Sequence, residues 1–124
     1  MICPCNSGKK YSLCCNRYHL DHLNPPTAEA LMRSRYSAYA LNKLKYIYNT
    51  WHKDTRPDLQ TLSKTNEQVS LTIQTTDMGL VNHDIGTVTF TKTYKEGTQL
   101  KEHTEISYFK RENNKWMFFK SLSL

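Results

Sequence analysis

A chain of 124 residues is long enough for one modest core with a small appended module, and too short for a second full domain. Hydrophobic residues make up 38% and charged residues 23%, the balance of a soluble globular protein, and no segment approaches the ~20 apolar residues of a membrane span, so membrane insertion is not expected. The net charge of +6 lies in residues 1–56, which is compatible with an acidic protein surface, RNA or another nucleic acid as partner. The favoured explanation is partial neutralisation of the thiol groups described next, together with ordinary surface lysines.

The four cysteines all lie within the first fifteen residues, as Cys3, Cys5, Cys14 and Cys15. Four thiolates form a soft, tetrahedral donor set, which is typical of a closed structural zinc site. The turn-forming segment Asn6-Ser7-Gly8 would bring the two cysteine pairs together. Neighbouring Lys9, Lys10 and Arg17 would lower the thiol pKa values and offset part of the negative charge.

Two disulfides or a redox-active thiol pair are the alternatives to zinc. Cys3 almost follows the initial methionine, which leaves no space for an apolar signal segment, so we expect a cytoplasmic protein with reduced cysteines. His19 is a substitute ligand in principle, but a surface histidine is the favoured interpretation. Zinc is therefore the predicted cofactor.

Two helices are predicted after the cysteine segment. Thr27 is suited to cap a helix that begins at Ala28 and extends to about Leu41. An amphipathic pattern predicts a second helix from Lys43 to His52, with Trp51 on its apolar face. The following segment lacks strong periodicity, and only a short helix or turn over Asp58–Lys64 is compatible with it.

Four strands are predicted next, because apolar residues there alternate with polar ones. The segments are Val69–Ile73, Val88–Tyr94, Leu100–Arg111 and Lys115–Leu122. Lys95-Glu96-Gly97-Thr98 and Asn113-Asn114 are typical hairpin turns, the second suited to a type I′ connection. Helices followed by an antiparallel meander predict an α+β fold in which the helices cover one face of the sheet.

Arg35 lies on the apolar stripe of the first predicted helix, four residues after Leu31. Leaving a buried charge without its partner costs about 3–5 kcal/mol, so the guanidinium needs an anion. We expect a structural ion pair with Glu105. The alternative is an arginine that anchors an anionic ligand.

The pattern His103-x-Glu105-x-Ser107-x-Phe109 places four side chains on one face of a strand. This face lies either in solvent or over a pocket, and the opposite face is an equal candidate for the inner one. In a pocket, His103 and Glu105 would form an acid/base or hydrogen-bonding pair.

Two known sequence patterns are present. The segment from Cys3 to Tyr11 (Cys-Pro-Cys-Asn-Ser-Gly-Lys-Lys-Tyr), followed by Cys14-Cys15, resembles the SEC-C motif, the zinc-binding element also found in the SecA translocation ATPase. The helix sequence Leu-Met-Arg-Ser-Arg-Tyr-Ser-Ala-Tyr, Thr50-Trp51, and the histidine–glutamate strand ahead of Trp116 resemble the YchJ family of bacterial proteins.

The resemblance covers almost the whole chain. It implies a SEC-C-like zinc knuckle over residues 1–23, with Cys3, Cys5, Cys14 and Cys15 as ligands. It also implies a cystatin-like, nuclear-transport-factor-like cone over residues 24–124, with helices packed in the concave side of a curved antiparallel sheet.

Departures from these patterns narrow the expected function. Asn6 stands where the motif commonly has glycine, which is tolerable because asparagine accepts the left-handed conformation. The second, C-terminal knuckle of some relatives is missing after Lys120, so a role that needs two metal modules is not expected. The likeness to SecA is confined to the knuckle, and without a phosphate-binding loop motif no ATPase activity is expected.

Two functions of different classes are compatible with the sequence. The first is a cytoplasmic binding module whose zinc knuckle docks on a protein or ribonucleoprotein partner. The second is a small-molecule pocket protein of the cone fold, with Arg35, Tyr36, Trp51, His103 and Glu105 as ligand-binding residues; an enzyme is the less favoured form of it. Nucleic-acid binding through the basic half and a homodimer through the outer face of the sheet are further possibilities.

Overall fold

The computed structural model describes residues 1–63 and 66–122. Within these residues the helices are α1 (Asn16–His19), α2 (Ala28–Ala40) and α3 (Leu44–Asn49), with 3-10 turns at Tyr11–Leu13 and Leu59–Thr61. The strands are β1 (Glu67–Met78), β2 (Ile85–Glu96), β3 (Gln99–Glu112) and β4 (Lys115–Leu122). They form one antiparallel sheet in chain order, and the helices pack on one of its faces. The predicted α+β fold is confirmed.

Helix α2 begins where the sequence predicts. The Thr27 hydroxyl accepts a hydrogen bond from the backbone N–H of Ala30 at 3.1 Å, which satisfies one of the free donors of the first turn. The N–H of Ala28 is bonded to the carbonyl of Gly79, in the connection between β1 and β2. The start of α2 is therefore fixed by a local cap and by a contact with the sheet.

The second helix is shorter than predicted, since α3 ends at Asn49 rather than His52. The Thr50 hydroxyl donates to the Tyr46 carbonyl at 2.7 Å, and the backbone then pairs with β4: Phe118 N–H donates to Thr50, and His52 N–H donates to Phe118. These bonds replace the next turn of helix. In the following segment a 3-10 turn forms at Leu59–Thr61, and the end of the predicted helix at Lys64 lies outside the described residues.

The hairpin turns follow the local sequence closely. Asn113 and Asn114 both have positive φ values, 50° and 64°, as a type I′ turn requires. Gly97 has a φ of +65° between the paired residues Glu96 and Gln99. The connection between β1 and β2 is tighter, because a Cβ at Gly86 would lie 2.4 Å from the Cα of Gly79.

The core lies between α2 and the sheet. It consists of Ala28, Leu31, Met32 and Tyr36 from α2 together with Leu71, Val88, Phe90, Phe109, Trp116 and Phe118 from the strands. Ser107 and Phe109 are buried, so the face of β3 that carries His103 and Glu105 is the inner one. The indole N–H of Trp116 donates to the carbonyl of Pro26 at 3.1 Å. Across the described residues, every helix is too short or too polar to cross a bilayer.

Candidate metal centre and body cavity

The four cysteines form one buried cluster. Their sulfur atoms all lie within 4.8 Å of one another. The Sγ atom of Cys14 lies 3.6 Å from that of Cys5 and 4.0 Å from that of Cys15, and all four thiols are free. The predicted convergence of the two pairs is therefore present, in a geometry that is compatible with metal binding.

A tight turn brings the pairs together. Ile2 and Lys10 form an antiparallel bridge, and the N–H of Cys3 donates to the carbonyl of Lys9 at 2.8 Å. Asn6 has a φ of 68°, the left-handed geometry expected of a residue in the glycine position of the motif. The side-chain amide of Asn6 also donates to the Leu71 carbonyl in β1 at 3.0 Å. A glycine at this position would lack this hydrogen bond.

The segment that carries the cysteines is bonded to α2 as well as to the sheet. The Arg33 guanidinium donates to the carbonyl of Cys5 at 2.8 Å and to the carboxylate of Glu29 at 3.1 Å. The buried hydroxyl of Ser37 lies 3.4 Å from the Sγ atom of Cys3. The cysteine segment and the body are therefore joined by hydrogen bonds.

Hydrogen bonding within the cluster separates the thiol pKa values. A bond with Cys15 lowers the pKa of Cys5 to about 4, and the same bond and burial raise the pKa of Cys15. Lys9 and Lys10, which the sequence predicted to lower the thiol pKa values, do not cause the low pKa of Cys5. Both lysines are exposed, and the shift comes from thiol and hydroxyl donors. A thiolate held by neighbouring donors is the form that binds metals.

His19 is neither exposed nor a member of the cysteine cluster. One ring nitrogen is bonded to the Tyr11 hydroxyl and the other to the Ser34 carbonyl, the latter at 2.8 Å. Burial lowers the pKa of its imidazole. The expectation of a surface histidine is wrong, since the ring links the cysteine segment to α2.

A second site lies in the body, where a cavity of about 260 Å³ opens between α2 and the sheet. Four of the five predicted ligand-binding residues line it: Arg35, Tyr36, Trp51 and Glu105. The fifth, His103, does not line it. The His103 side chain is 48% exposed, and its Nε2 atom is hydrogen bonded to a Glu105 oxygen at 3.1 Å.

Arg35 does not form the predicted ion pair with Glu105. Its Nη1 group donates to the Ile47 carbonyl at 2.8 Å and to the Thr50 hydroxyl at 2.7 Å. Its guanidinium carbon lies 4.6 Å from the ring centroid of Phe118 and 5.2 Å from that of Trp51. Burial lowers the pKa of Arg35 to about 10, and no carboxylate among the described residues forms an ion pair with it.

Glu105 has its own set of donors. Its Oε1 atom accepts from the hydroxyls of Ser121 at 2.6 Å and Ser107 at 3.3 Å, and Oε2 is bonded to His103. These bonds fix the carboxylate at the cavity wall without Arg35. The ion-pair prediction failed because the Nη1 group of Arg35 is bonded to residues at the early end of α3, a feature that the helical pattern does not reveal.

Trp51 supplies an unusual group. Its indole Nε1 atom is fully buried, yet it has no hydrogen-bond partner within the described chain. The sequence placed Trp51 at the cavity but gave no sign of this free donor. It also missed Lys92 in the cavity wall, although that lysine lies two residues after the buried Phe90 on the same strand face.

Together, the fold and the cysteine cluster define a protein with a nuclear-transport-factor-like body and an N-terminal cluster of four cysteines that is compatible with metal binding. The family model for the YchJ middle NTF2-like domain matches residues 27–121, and the model for the SEC-C motif matches residues 2–17, which contain all four cysteines. The chain belongs to the YchJ family.

Relatives and solved structures are similar along nearly the full chain. The UPF0225 protein of Streptomyces coelicolor is 39% identical over 116 residues, which cover 94% of this chain and 90% of the relative. That of Chromobacterium violaceum is 37% identical, covering 97% and 91%.

The solution structure of a SEC-C motif containing protein from Rhodopseudomonas palustris has a TM-score of 0.89 at 29% identity, covering 100% of this chain and 99% of the other. A crystal structure of a SEC-C motif containing protein from Psychrobacter arcticus has a TM-score of 0.81 at 26% identity, covering 98% and 84%.

Proposed function

We propose that Cys3, Cys5, Cys14 and Cys15 bind one structural zinc ion. Four sulfurs at the usual zinc–sulfur distance of ~2.3 Å in a tetrahedron lie about 3.8 Å apart. The separations of 3.6 and 4.0 Å around Cys14 support this fit, and they are the observation that carries the proposal. Four buried protein ligands leave no open position for a substrate, so the ion would stabilise the fold.

The metal would also fix the surface that the knuckle presents. Cys5 is bonded through its carbonyl to Arg33 of α2, so an ion held by Cys5 would tie the whole cysteine loop to the body. The outer side of the cysteine loop carries the exposed side chains of Ile2 and Lys10, whose backbones form an antiparallel bridge. Free thiolates need a reducing compartment, which supports a cytoplasmic location.

The function supported best is that of a binding module, in which the knuckle docks on a protein or ribonucleoprotein. Ile2 is 61% and Leu13 is 65% exposed, and Lys9 and Lys10 are exposed beside them. A surface that combines apolar side chains with positive charge suits a partner whose surface is acidic.

Elemental analysis tests the metal. Protein purified without added metal should contain about one zinc per chain, and a Cys14→Ser/Cys15→Ser variant should contain none. A metal-free protein with four titratable thiols would contradict the proposal and would favour a redox role.

Affinity purification tests the docking surface. A Lys9→Glu/Lys10→Glu variant should keep its zinc and lose its partner, whereas the matched Lys101→Glu/Lys120→Glu variant, with both changes on the exposed body surface, should keep the partner. Binding should weaken with salt for an acidic protein and more steeply for a ribonucleoprotein, because binding to phosphates releases condensed counterions. Equal retention of the partner by both variants would contradict docking through the knuckle.

A second function, small-molecule binding in the body cavity, is favoured by Arg35. Arg35 is only 4% exposed, lines the cavity and forms no ion pair with a carboxylate among the described residues. Native mass spectrometry of protein from cells should detect a non-covalent adduct that is released on unfolding. A covalent adduct, or one retained by a folded variant with a bulky residue in the cavity such as Ser107→Leu, would contradict this function.

A further inference from the structure

We propose that the body cavity binds a small organic carboxylate, with Arg35 and the indole N–H of Trp51 as the two anchoring donors. This inference rests on the small-molecule function proposed above and specifies the chemical class of the ligand. It is carried by two separate observations, one on each side chain.

The first observation is the direction of the Arg35 hydrogen bonds. A guanidinium has five N–H donors, and within the described chain both protein acceptors of Arg35 are bonded to Nη1. The Nε and Nη2 groups lie side by side on the other edge of the guanidinium. Neither atom is among the buried side-chain donors that lack a partner in the described chain, and Arg35 lines the cavity, so this edge is open to it. Two parallel N–H donors match the two oxygens of a carboxylate.

The second observation is the free donor of Trp51. Buried N–H groups are nearly always hydrogen bonded in folded proteins, and the Nε1 atom of Trp51 has no partner in the part of the chain that the structure describes. The Arg35 guanidinium lies over the Trp51 ring at 5.2 Å, so the two donors are neighbours in the same cavity wall. In the ligand-free structure this N–H is closed off from the open cavity, so it donates to an oxygen of a ligand held by Arg35 only once the indole turns toward that oxygen.

Charge and size narrow the ligand class. The cationic side chains in the wall are Arg35 and Lys92, and Glu105 is the anionic one, which leaves a single excess positive charge. A monoanion balances it, whereas a phosphate dianion would be repelled by the fixed Glu105 carboxylate. The volume of about 260 Å³ is below the ~300–1,000 Å³ of sites for drug-sized ligands. The rings of Phe90 and Phe118 favour an apolar body for the acid.

Nuclear magnetic resonance offers a direct test, because the chain has two tryptophans and therefore two indole N–H signals. The probe is benzoate, and its uncharged isostere benzamide is the control. Benzoate should shift the indole signal of Trp51. The signal of Trp116, whose N–H is already bonded to the Pro26 carbonyl, should stay in place. Benzamide should bind at least about tenfold more weakly, the loss expected for one charge-assisted hydrogen bond.

Variants test the two donors separately. Arg35→Lys keeps the charge but loses the fork of two N–H groups, so it should weaken benzoate binding about tenfold. The matched control is Arg56→Gln, since Arg56 stacks on Tyr48 and does not line the cavity. If Arg35→Lys does not fold, Trp51→Phe provides the second test, because it removes the indole N–H while keeping an aromatic ring, and it should weaken benzoate binding by a similar factor.

The outcomes separate this inference from the function on which it rests. If benzamide shifts the Trp51 signal as readily as benzoate, the cavity binds small molecules but does not select carboxylates, and the inference fails alone. If neither compound shifts that signal, the carboxylate site and the small-molecule function both fail. Benzoate binding that Arg35→Lys and Trp51→Phe leave unchanged would also overturn the proposed anchors.

Discussion

The two tryptophans provide a matched test of the free donor in the cavity. The Nε1 atom of Trp116 donates to the Pro26 carbonyl at 3.1 Å, whereas that of Trp51 is buried without a partner in the described chain. Substitution by phenylalanine at either position keeps one aromatic ring and removes the same atoms. Comparing Trp51→Phe with Trp116→Phe therefore tests the effect of the N–H group, with the deeper burial of Trp116 taken into account.

The expected magnitudes differ because the two N–H groups differ. At Trp116 the lost hydrogen bond contributes about 1 kcal/mol and the lost packing volume about 1–2 kcal/mol, so Trp116→Phe should lower the free energy of unfolding by roughly 2–3 kcal/mol. Trp51 is only partly buried, so its packing loss is smaller, and this loss is offset because the variant no longer buries an unsatisfied donor, whose burial costs about 1–3 kcal/mol. Trp51→Phe should therefore change the stability by less than about 1 kcal/mol.

Urea unfolding followed by far-ultraviolet circular dichroism measures the free energy of unfolding of both variants. The comparison holds when the slope of this free energy against urea concentration equals that of the wild type. The experiment is made without added ligand. If Trp51→Phe is destabilised as strongly as Trp116→Phe, the Trp51 N–H is hydrogen bonded in solution, and the reasoning from an unsatisfied donor is refuted.

Three further outcomes are expected. Thr27→Ala should lower the free energy of unfolding by about 1 kcal/mol, because the Ala30 N–H loses its cap, and loss of zinc in this variant would contradict a purely local effect. The hydrogen bond from His52 lowers the pKa of the Glu112 carboxyl below its ordinary 4.5, so the stability that this contact contributes is present above pH 4.5 and is lost as the pH falls through the folded pKa. Glu112→Gln should therefore be less stable than the wild type at neutral pH and equal to it in acid. A stability difference that stays constant with pH would argue against this contact. Removing the proposed zinc ion with a chelator should increase the rate of amide hydrogen exchange in the cysteine segment more than in the sheet. A uniform increase in exchange would show that the metal does not act locally.

Features that depend on neighbouring residues could be predicted from the sequence. Thr27 caps α2, the Asn113-Asn114 pair forms the predicted turn, and Asn6 adopts the left-handed conformation. In each case the backbone geometry is determined by the chemistry of one or two adjacent side chains. The clustering of the four cysteines was predictable for the same reason, because a short turn joins the two pairs.

Features that depend on distant contacts could not be predicted in this way. Helix α3 ends early because Thr50 and His52 pair with Phe118, which is more than sixty residues away in the chain. That ending supplies Arg35 with a carbonyl and a hydroxyl, and Glu105 is satisfied by Ser121 on another strand. A periodic pattern locates a buried charge, but it does not identify which backbone or side-chain groups surround it.

The most direct test of the central claim, a zinc ion held by four thiolates, is X-ray absorption spectroscopy at the zinc edge of the purified protein. We predict a single shell of four sulfur atoms at about 2.3 Å. A shell that includes nitrogen or oxygen, or zinc bound with fewer than four sulfurs, would contradict the closed site formed by Cys3, Cys5, Cys14 and Cys15.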